Sequence, residues 1–485
     1  MQSNVPRSGI IHNKLSEVTV HFCLREPGRM MKRTIVLSVC FFLSALAAFS
    51  GYGEGENIAL FLNGQNKESL HISFRIDSLV LVDETGKEYK LILLEKSVDS
   101  RYGERFQLRL ADGEVPPGSY RAIKMRISAP ALHGRREASL LWKGESLAIP
   151  LSFSVTEGKI TTIFLNWDTS GAVRSDIEFK PEFSGSLPEP IVRSLKLFVT
   201  DEDQGQLLVI DRRHDSVVAV MKVGEKPKRL AISPGGERLY VANSGSSTIS
   251  IIDTINDRIV DTILLEYGSK PVDVAVSPDG SELYVVNEAA NSISIYDALS
   301  STFIKEEKVG LAPQRIAVSP DGHAVFVVCK FSDEISIIDA SSKAVISLLK
   351  VSSKPVSIAD QPGKDTYYVA HEGSNHLAVI ENRAVKKKVN PGFRTTELNV
   401  DRDGSRLFLL DRQGGRIVVF DTKTETILKF ITVKRPVNVV SDPDGKKLYV
   451  TGGETGNIYV VDKILGRVIS TSKIGLNLFD LLIVQ

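Results

Sequence analysis

Residues 238–281 read RLYVANSGSSTISIIDTINDRIVDTILLEYGSKPVDVAVSPDGS, and this pattern occurs seven times after residue 195. Four apolar runs alternate with polar residues at a period of two, which predicts β-strands buried on one face. Asn-Ser-Gly, Asn-Asp and Ser-Pro-Asp-Gly separate the runs, and these residue types favour tight turns. Four short strands in each repeat of about forty residues are typical of a propeller blade.

An aromatic anchor recurs at intervals of 40 to 44 residues, at Phe198, Tyr240, Tyr284, Phe326, Tyr368, Phe408 and Tyr449. The first repeat lacks an innermost strand, and the chain ends on LFDLLIVQ, which fits the missing place. We therefore expect the C-terminal strand to complete the first blade, which removes an open sheet edge and closes a ring of seven blades. An Asp ends the second run of most repeats, and we expect it to cap the following turn.

The runs LYVAN, TISIID and KPVDVAVSPDG resemble the YVTN-type, or surface-layer-protein-like, seven-bladed β-propeller repeat family. The resemblance covers residues 195–485. It departs most where Ser-Pro-Asp-Gly becomes DQPGKD and DRDG in later repeats. The resemblance implies an exported or surface binding module, although a minority of related seven-bladed proteins are enzymes.

Residues 57–183 contain about eight short alternating strands without a forty-residue period, which predicts a β-sandwich. The segment PPGSYR followed by AIKMRIS resembles the strand entry of transthyretin-like sandwiches of unknown function. Residues 184–193 hold two prolines and are expected to form a short linker before a propeller at 194–485. The predicted fold is therefore all-β, with an N-terminal sandwich followed by a propeller.

The N-terminal segment predicts export. Lys32 and Arg33 precede a short apolar run that contains Ala-Leu-Ala at 45–47, so residues 30–48 read as a signal peptide. An uncleaved membrane anchor is the alternative, and residues 1–29 form a doubtful extension before the true start. After cleavage we expect no transmembrane span and a periplasmic, cell-surface or extracellular location.

Composition and motifs exclude several classes of function. The net charge is +1, with 60 basic and 59 acidic residues, which gives no electrostatic case for nucleic acid binding. The chain has no P-loop, dinucleotide fingerprint, Gly-x-Ser-x-Gly elbow or Cys-x-x-Cys, so we expect no cofactor. Cys329 would be the one cysteine of the mature chain, and we expect a buried strand thiol rather than a nucleophile.

Basic residues precede the proline, or occupy the aligned position, in the loops that enter five of the seven inner strands. They are Lys226, Lys270, Lys354, Arg394 and Arg435. Seven-fold geometry would bring them to one rim, where charges of one sign attract anions. The sequence thus nominates a rim that binds an anionic ligand, while solvated lysines of a common repeat motif remain the alternative.

The fifth repeat, YVAHEGSNHLAVIE, is the most unusual. His371 and His376 lie in one predicted hairpin loop and are candidates for metal ligands, although we expect no metal. If the protein were a lactonase-like or other hydrolytic or lyase propeller enzyme, His371, Glu372, Arg394 and Arg435 would be its catalytic candidates.

We expect a binding or scaffold protein of the cell envelope, a monomer without turnover, that uses one propeller face. Its partner would be an envelope protein, a glycan or an anionic small molecule. The competing prediction is the hydrolytic or lyase enzyme. The sequence does not determine the ligand or whether the sandwich packs on the propeller.

Overall fold

The computed structural model describes residues 56–66, 71–100, 105–133, 138–144, 146–175 and 177–484. The predicted signal peptide at 30–48 and the extension at 1–29 lie outside these residues. The described chain is built of strands, with one short 3-10 turn at Arg193–Leu195. Within it, no helix has the length and apolar character needed to cross a bilayer. The all-β prediction is confirmed.

The N-terminal part forms two facing sheets. Its strands are β1 (Ile58–Gln65), β2 (His71–Asp83), β3 (Glu88–Lys90), β4 (Ile92–Leu93), β5 (Ser97–Asp99), β6 (Arg105–Gly113), β7 (Gly118–His133), β8 (Ala138–Ser139), β9 (Leu147–Val155), β10 (Thr161–Asp168), β11 (Val173–Arg174), β12 (Glu178–Phe179) and β13 (Glu182–Ser186). One sheet runs β13-β10-β1-β6, and the other runs β3-β2-β7-β8 with β5 and β9 on its flanks. The predicted sandwich is confirmed, and β13 includes the first residues of the expected linker.

The sandwich core lies between these sheets and includes Phe74, Trp167 and Phe179. Trp167 is 1% exposed and packs edge-on against Phe74, with 5.1 Å between ring centroids. Trp142 packs on Phe179 at 5.9 Å. Both tryptophans therefore serve the core, and they do not form an exposed pair for stacking on a sugar.

The remaining strands form seven four-stranded blades. Blade 1 contains β14 (Lys196–Asp201), β15 (Gln206–Asp211), β16 (Ser216–Lys222) and β41 (Leu478–Ile483); blade 2 contains β17 (Pro227–Ile232), β18 (Arg238–Asn243), β19 (Thr248–Asp253) and β20 (Arg258–Leu264); blade 3 contains β21 (Pro271–Val276), β22 (Glu282–Asn287), β23 (Ser292–Asp297) and β24 (Phe303–Lys308); blade 4 contains β25 (Pro313–Val318), β26 (Ala324–Cys329), β27 (Glu334–Asp339) and β28 (Ala344–Lys350). Blade 5 contains β29 (Pro355–Asp360), β30 (Thr366–His371), β31 (Leu377–Glu381) and β32 (Ala384–Val389); blade 6 contains β33 (Glu397–Val400), β34 (Arg406–Asp411), β35 (Arg416–Asp421) and β36 (Ile427–Thr432); blade 7 contains β37 (Asn438–Ser441), β38 (Lys447–Thr451), β39 (Asn457–Asp462) and β40 (Arg467–Lys473).

The C-terminal strand closes the ring as predicted. β41 pairs antiparallel with β14, so that Leu197 lies opposite Ile483 and Val199 opposite Leu481. The predicted turn caps are present as well. For example, the Asp253 carboxylate accepts hydrogen bonds from the backbone N–H groups of Ile255 (2.9 Å) and Asn256 (3.2 Å). These aspartates therefore stabilise turns and are unavailable for other chemistry.

The sandwich packs firmly on blades 1 and 7. β40 of blade 7 pairs in parallel with β6 at Lys473 and Leu108, so one sheet runs from the propeller into the sandwich. Phe61 and Phe164 share a buried core with propeller residues such as Val217. A continuous sheet and a shared apolar core predict that the two parts move together.

Gln107 bridges this junction from β6. Its side-chain oxygen accepts the Val217 N–H at 2.7 Å, and its amide nitrogen donates to the Val217 carbonyl at 3.3 Å. Asp112 adds a second bridge, because it accepts from Gln204 of blade 1 at 2.7 Å while holding Arg109 of the sandwich. Apolar packing alone permits several orientations of the sandwich on the propeller, and buried polar contacts of this kind select one of them.

Candidate functional site

The loops that enter the inner strands and those that follow the second strands lie on one side of the ring, which we call the top face. The two sets are hydrogen bonded: Ser244 N–H donates to the Lys226 carbonyl at 3.0 Å, and Glu372 N–H to the Lys354 carbonyl at 2.8 Å. Lys226 and Lys354 have positive φ values of 49° and 51°. The loop backbone thus fixes where these basic residues emerge, as the repeat pattern predicts.

All five nominated basic residues are exposed on the top face. Two of them are paired with acids: Lys270 with Glu288, and Arg435 with Glu454 at 3.2 Å. The other three, Lys226, Lys354 and Arg394, form no ion pair with any residue that the structure describes. The five basic residues are therefore exposed on one face, but two of their five charges are paired with acids.

Inside this rim lies a ring of seven side chains, one from each inner strand, which we call the channel ring. Its members are Asp480, Arg229, Asp273, Arg315, Ser357, Glu397 and Asn438. Each of the seven occupies an equivalent place near the start of its strand. None of them is among the residues predicted from the sequence.

Two arginines hold the channel ring together. Arg229 pairs with Glu397 and with Asp480, the latter at 3.1 Å. Arg315 pairs with Glu397 at 3.0 Å and with Asp273 at 3.5 Å. The two contacts with Glu397 cross the channel between non-adjacent blades, whereas those with Asp480 and Asp273 join neighbouring blades, and together they span the channel at this level.

Burial would raise the pKa of Glu397, but the nearby guanidinium groups of Arg229 and Arg315 outweigh it and the pKa is lowered. At Asp273 burial dominates, and the pKa is raised despite the same two arginines. Every charged group of the channel ring faces an opposite charge, which is the condition under which charges are tolerated in an interior. The ring is accordingly built for structure, since it offers no free acid, base or nucleophile.

The four hydrolytic candidates are only partly brought together. Glu372 and Arg394 line one open cavity of about 570 Å³ between blades 5 and 6, beside Asp411. His371 is fully buried and does not line that cavity, and Arg435 pairs with Glu454 in the next blade. Two of the four side chains thus share a site.

His371 and His376 touch through the backbone rather than through their rings. His371 Nδ1 lies 2.9 Å from the His376 carbonyl, and His376 Nδ1 lies 3.1 Å from Ser374 Oγ. Burial lowers the pKa of His371 to about 4. Among the residues that the structure describes, no group of three His, Cys, Asp or Glu side chains is placed to hold a metal ion.

Cys329 ends β26 and is fully buried. Burial raises the pKa of its thiol, and its sulfur lies 3.6 Å from Ser336 Oγ. A protonated, inaccessible thiol is a poor nucleophile. The predicted role as a buried strand thiol agrees with this environment.

A second cavity lies where the sandwich meets blades 1 and 7, and it encloses about 470 Å³. A row of amides forms part of its wall: Gln107 donates to Asn63 at 2.9 Å, and Asn63 donates to Asn166 at 3.0 Å. His214 of blade 1 lines the opposite side. β1 and β10 each become polar after a phenylalanine, Phe61 or Phe164. This change is a sequence signal for the site, because it predicts that one face of the sheet passes from buried to open surface.

Comparison with known proteins supports the propeller. The family model "Lactonase, 7-bladed beta-propeller" matches residues 251–358. Kuenenia stuttgartiensis hydrazine synthase has a similar structure, with a TM-score of 0.50 and 19% identity over 57% of this chain and 96% of that one. The dihydro-haem d1 dehydrogenase NirN, in complex with DHE, gives a TM-score of 0.50 and 14% identity over 62% of this chain and 77% of that one.

A functionally unknown protein from Desulfotomaculum acetoxidans DSM 771 gives a TM-score of 0.53 and 15% identity over 59% of this chain and 98% of that one. No curated protein matches the chain significantly. At these identities the likeness concerns the fold alone. The chain is thus similar in fold to these structures, and residues 251–358 match the seven-bladed propeller family model.

Proposed function

We propose that this protein is an exported, non-catalytic binding protein of the cell envelope, which presents the top face of its propeller to a partner. The observation that carries the proposal is the channel ring. Because its three carboxylates and two guanidinium groups pair with one another across the channel, the polar groups left to meet a ligand are those of the top-face loops. The apparent signal peptide at 30–48 supports export to the envelope.

The ligand that fits the top face best is an extended polyanion, such as an acidic glycan. Lys226, Lys354 and Arg394 are exposed and without an ion-pair partner among the described residues, and they belong to three different loops around the ring. Separated positive charges engage a chain of repeated negative charges better than a single small anion. Such contacts weaken with salt, since the Debye length shrinks to about 3 Å at 1 M ionic strength.

The test is binding of the purified protein to immobilised polygalacturonate, with neutral dextran as the reference, at 50 and 500 mM NaCl. A triple Lys226→Gln, Lys354→Gln, Arg394→Gln variant is expected to lose at least tenfold in affinity. Lys364, Lys423 and Lys446 are exposed on the opposite face, and changing all three to Gln is the matched control. Equal losses in both variants, or no salt-sensitive binding by the parent protein, would overturn the assignment.

A second candidate function is hydrolysis by a lactonase-like mechanism. The shared cavity of Glu372 and Arg394 and the partial match to the seven-bladed lactonase family favour it. The matched segment ends before these residues, so the match supports the fold and not the site. Turnover of a panel of lactones and aryl esters that disappears in Glu372→Gln would establish it, whereas no turnover above buffer would remove it.

A further inference from the structure

A slot opens between the outer strands of blades 2 and 3. It encloses about 570 Å³, with β20 on one side and β23 and β24 on the other. Asn287, at the end of β22, forms its deep end. We call this cavity the blade 2–3 slot.

The slot lies beneath a connection that is longer than three of its counterparts. Six residues, 265–270, join β20 to β21, whereas four residues join the corresponding strands at 223–226, 309–312 and 351–354. In two of these shorter loops a glycine packs directly on the residue equivalent to Asn287. A Cβ on Gly224 would lie 2.7 Å from the Asn243 Cβ, and one on Gly310 would lie 2.8 Å from the Cys329 Cβ. The longer loop carries Glu266 in place of that glycine, and Asn287, although only 2% exposed, lines the slot.

The polar groups of the slot are mainly hydrogen-bond acceptors. Asn287 is 2% exposed, and its Nδ2 donates to Ser294 at 2.8 Å, while its Oδ1 has no hydrogen-bond partner among the described residues. The carboxylates of Asp261, Glu266 and Glu306 line the slot farther out. Lys308 pairs with Glu306 at 2.9 Å and is itself 72% exposed, so a cation bound at Glu306 would displace an exposed lysine rather than a buried one.

The arrangement excludes a metal ion and favours a cation on a stem. The three carboxylates do not form a cluster that would hold a metal. Leu264 and Phe303, which are 73% and 55% exposed, line the mouth. Long basic side chains bury their alkyl stems against such apolar surfaces while their charged heads reach polar groups.

We propose that the blade 2–3 slot binds a basic side chain of a partner polypeptide, whose guanidinium or ammonium group donates to Asn287 Oδ1 and to the slot carboxylates. The alkyl stem of that side chain packs on Leu264 and Phe303. This site prefers the opposite charge from the top-face rim and does not depend on the polyanion assignment.

The test measures fluorescence anisotropy of a labelled Gly-Gly-Arg-Gly-Gly peptide with the full-length protein. The neutral isostere, with citrulline in place of arginine, is the ligand control. We expect the arginine peptide to bind at least fivefold more tightly than the citrulline peptide, and the difference to shrink in 500 mM NaCl.

Asn287→Ala and Glu306→Gln are each expected to weaken arginine-peptide binding threefold or more. Asn243→Ala is the matched control, because Asn243 has the same place in blade 2, also lacks a partner for Oδ1, and is covered by Gly224. Glu306 is 34% exposed, so Glu306→Gln tests the slot even where Asn287→Ala unfolds. Equal binding of the citrulline peptide, equal weakening by Asn243→Ala, or tighter binding of free spermidine than of the peptide would each overturn the proposal.

Discussion

Neutralising Glu397 tests whether the channel ring carries the stability of the propeller. Glu397 is about 2% exposed and contacts Arg229, Arg315 and the Ser357 hydroxyl. Glu397→Gln keeps the size of the side chain but leaves two buried guanidinium groups facing two carboxylates instead of three. Each guanidinium keeps one carboxylate, Asp480 or Asp273, but loses the one that both share, and hydrogen bonds to charged groups contribute about 1.5–3 kcal/mol.

The assay is thermal unfolding followed by circular dichroism at pH 7. At about 2.1 cal/mol/K of unfolding entropy per residue, the loss corresponds to a fall in Tm of roughly 2–5 °C for a folded unit of this size. Glu454→Gln is the control, since Glu454 is 59% exposed in its pair with Arg435, and surface pairs contribute only about 0–1 kcal/mol. A Tm change below 1 °C for Glu397→Gln would refute the view that these charges are desolvated and mutually dependent.

The same variant predicts a pH dependence. The pKa of Glu397 is lowered in the folded protein, so its ionised form adds stability above the unfolded value of about 4.3. That contribution disappears as the pH falls through the folded pKa. The Tm difference between the parent protein and Glu397→Gln is therefore largest at neutral pH and shrinks on acidification below about pH 4. A difference that grows on acidification would contradict the sign of this shift.

Three further predictions concern single residues. Cys329 should not react with a thiol reagent in the native protein and should react fully in guanidinium; rapid native labelling would show that blade 4 opens. His371, whose pKa is about 4, should stay neutral in NMR titrations down to pH 5, and the stability it contributes should decline as pH falls from about 6.5 towards 4; titration near pH 6.5 would show an exposed ring. Gln107→Ala should cost about 1–3 kcal/mol and increase protease cleavage between sandwich and propeller, while an unchanged digestion pattern would show that apolar packing alone fixes the junction.

The blade architecture could be predicted from sequence because each blade is specified locally. The period-two runs, the turn residues and the aromatic anchors all lie within one repeat of about forty residues. The closing strand was predictable for a similar reason: the first repeat lacks one run and the last residues supply it. β41 pairs with β14 as that argument requires.

The channel ring could not be predicted in the same way. Arg229 and Glu397 lie 168 positions apart, and nothing in either repeat indicates the other. Their charges become complementary only when the ring places the equivalent position of every blade on one axis. The equivalent residues vary among Asp, Arg, Ser, Glu and Asn, so a search for a repeated motif overlooks them.

For the basic rim, the sequence predicted where the basic residues lie but not which of them form ion pairs. The repeat correctly placed Lys270 and Arg435 in exposed loops, because the residue before the loop proline occupies the same position in each blade. It did not reveal that Glu288 and Glu454 lie beside them, since these acids belong to the other set of top-face loops. Charge on a propeller face is therefore decided by contacts between loop sets.

In these cases the chemistry that is specific to this protein lies at positions where the repeats differ from one another. A residue that recurs in most blades, such as the turn-capping Asp, serves the blade itself. A position that varies around the ring produces either a network of ion pairs, as in the channel ring, or a polar group without a partner among the described residues, as at Asn287. The charges of the network pair with one another, whereas Asn287 lines a slot beneath a loop that carries Glu266 in place of the glycine of blades 2 and 4. Partner recognition should therefore be sought at the irregular loops before the centre of the ring.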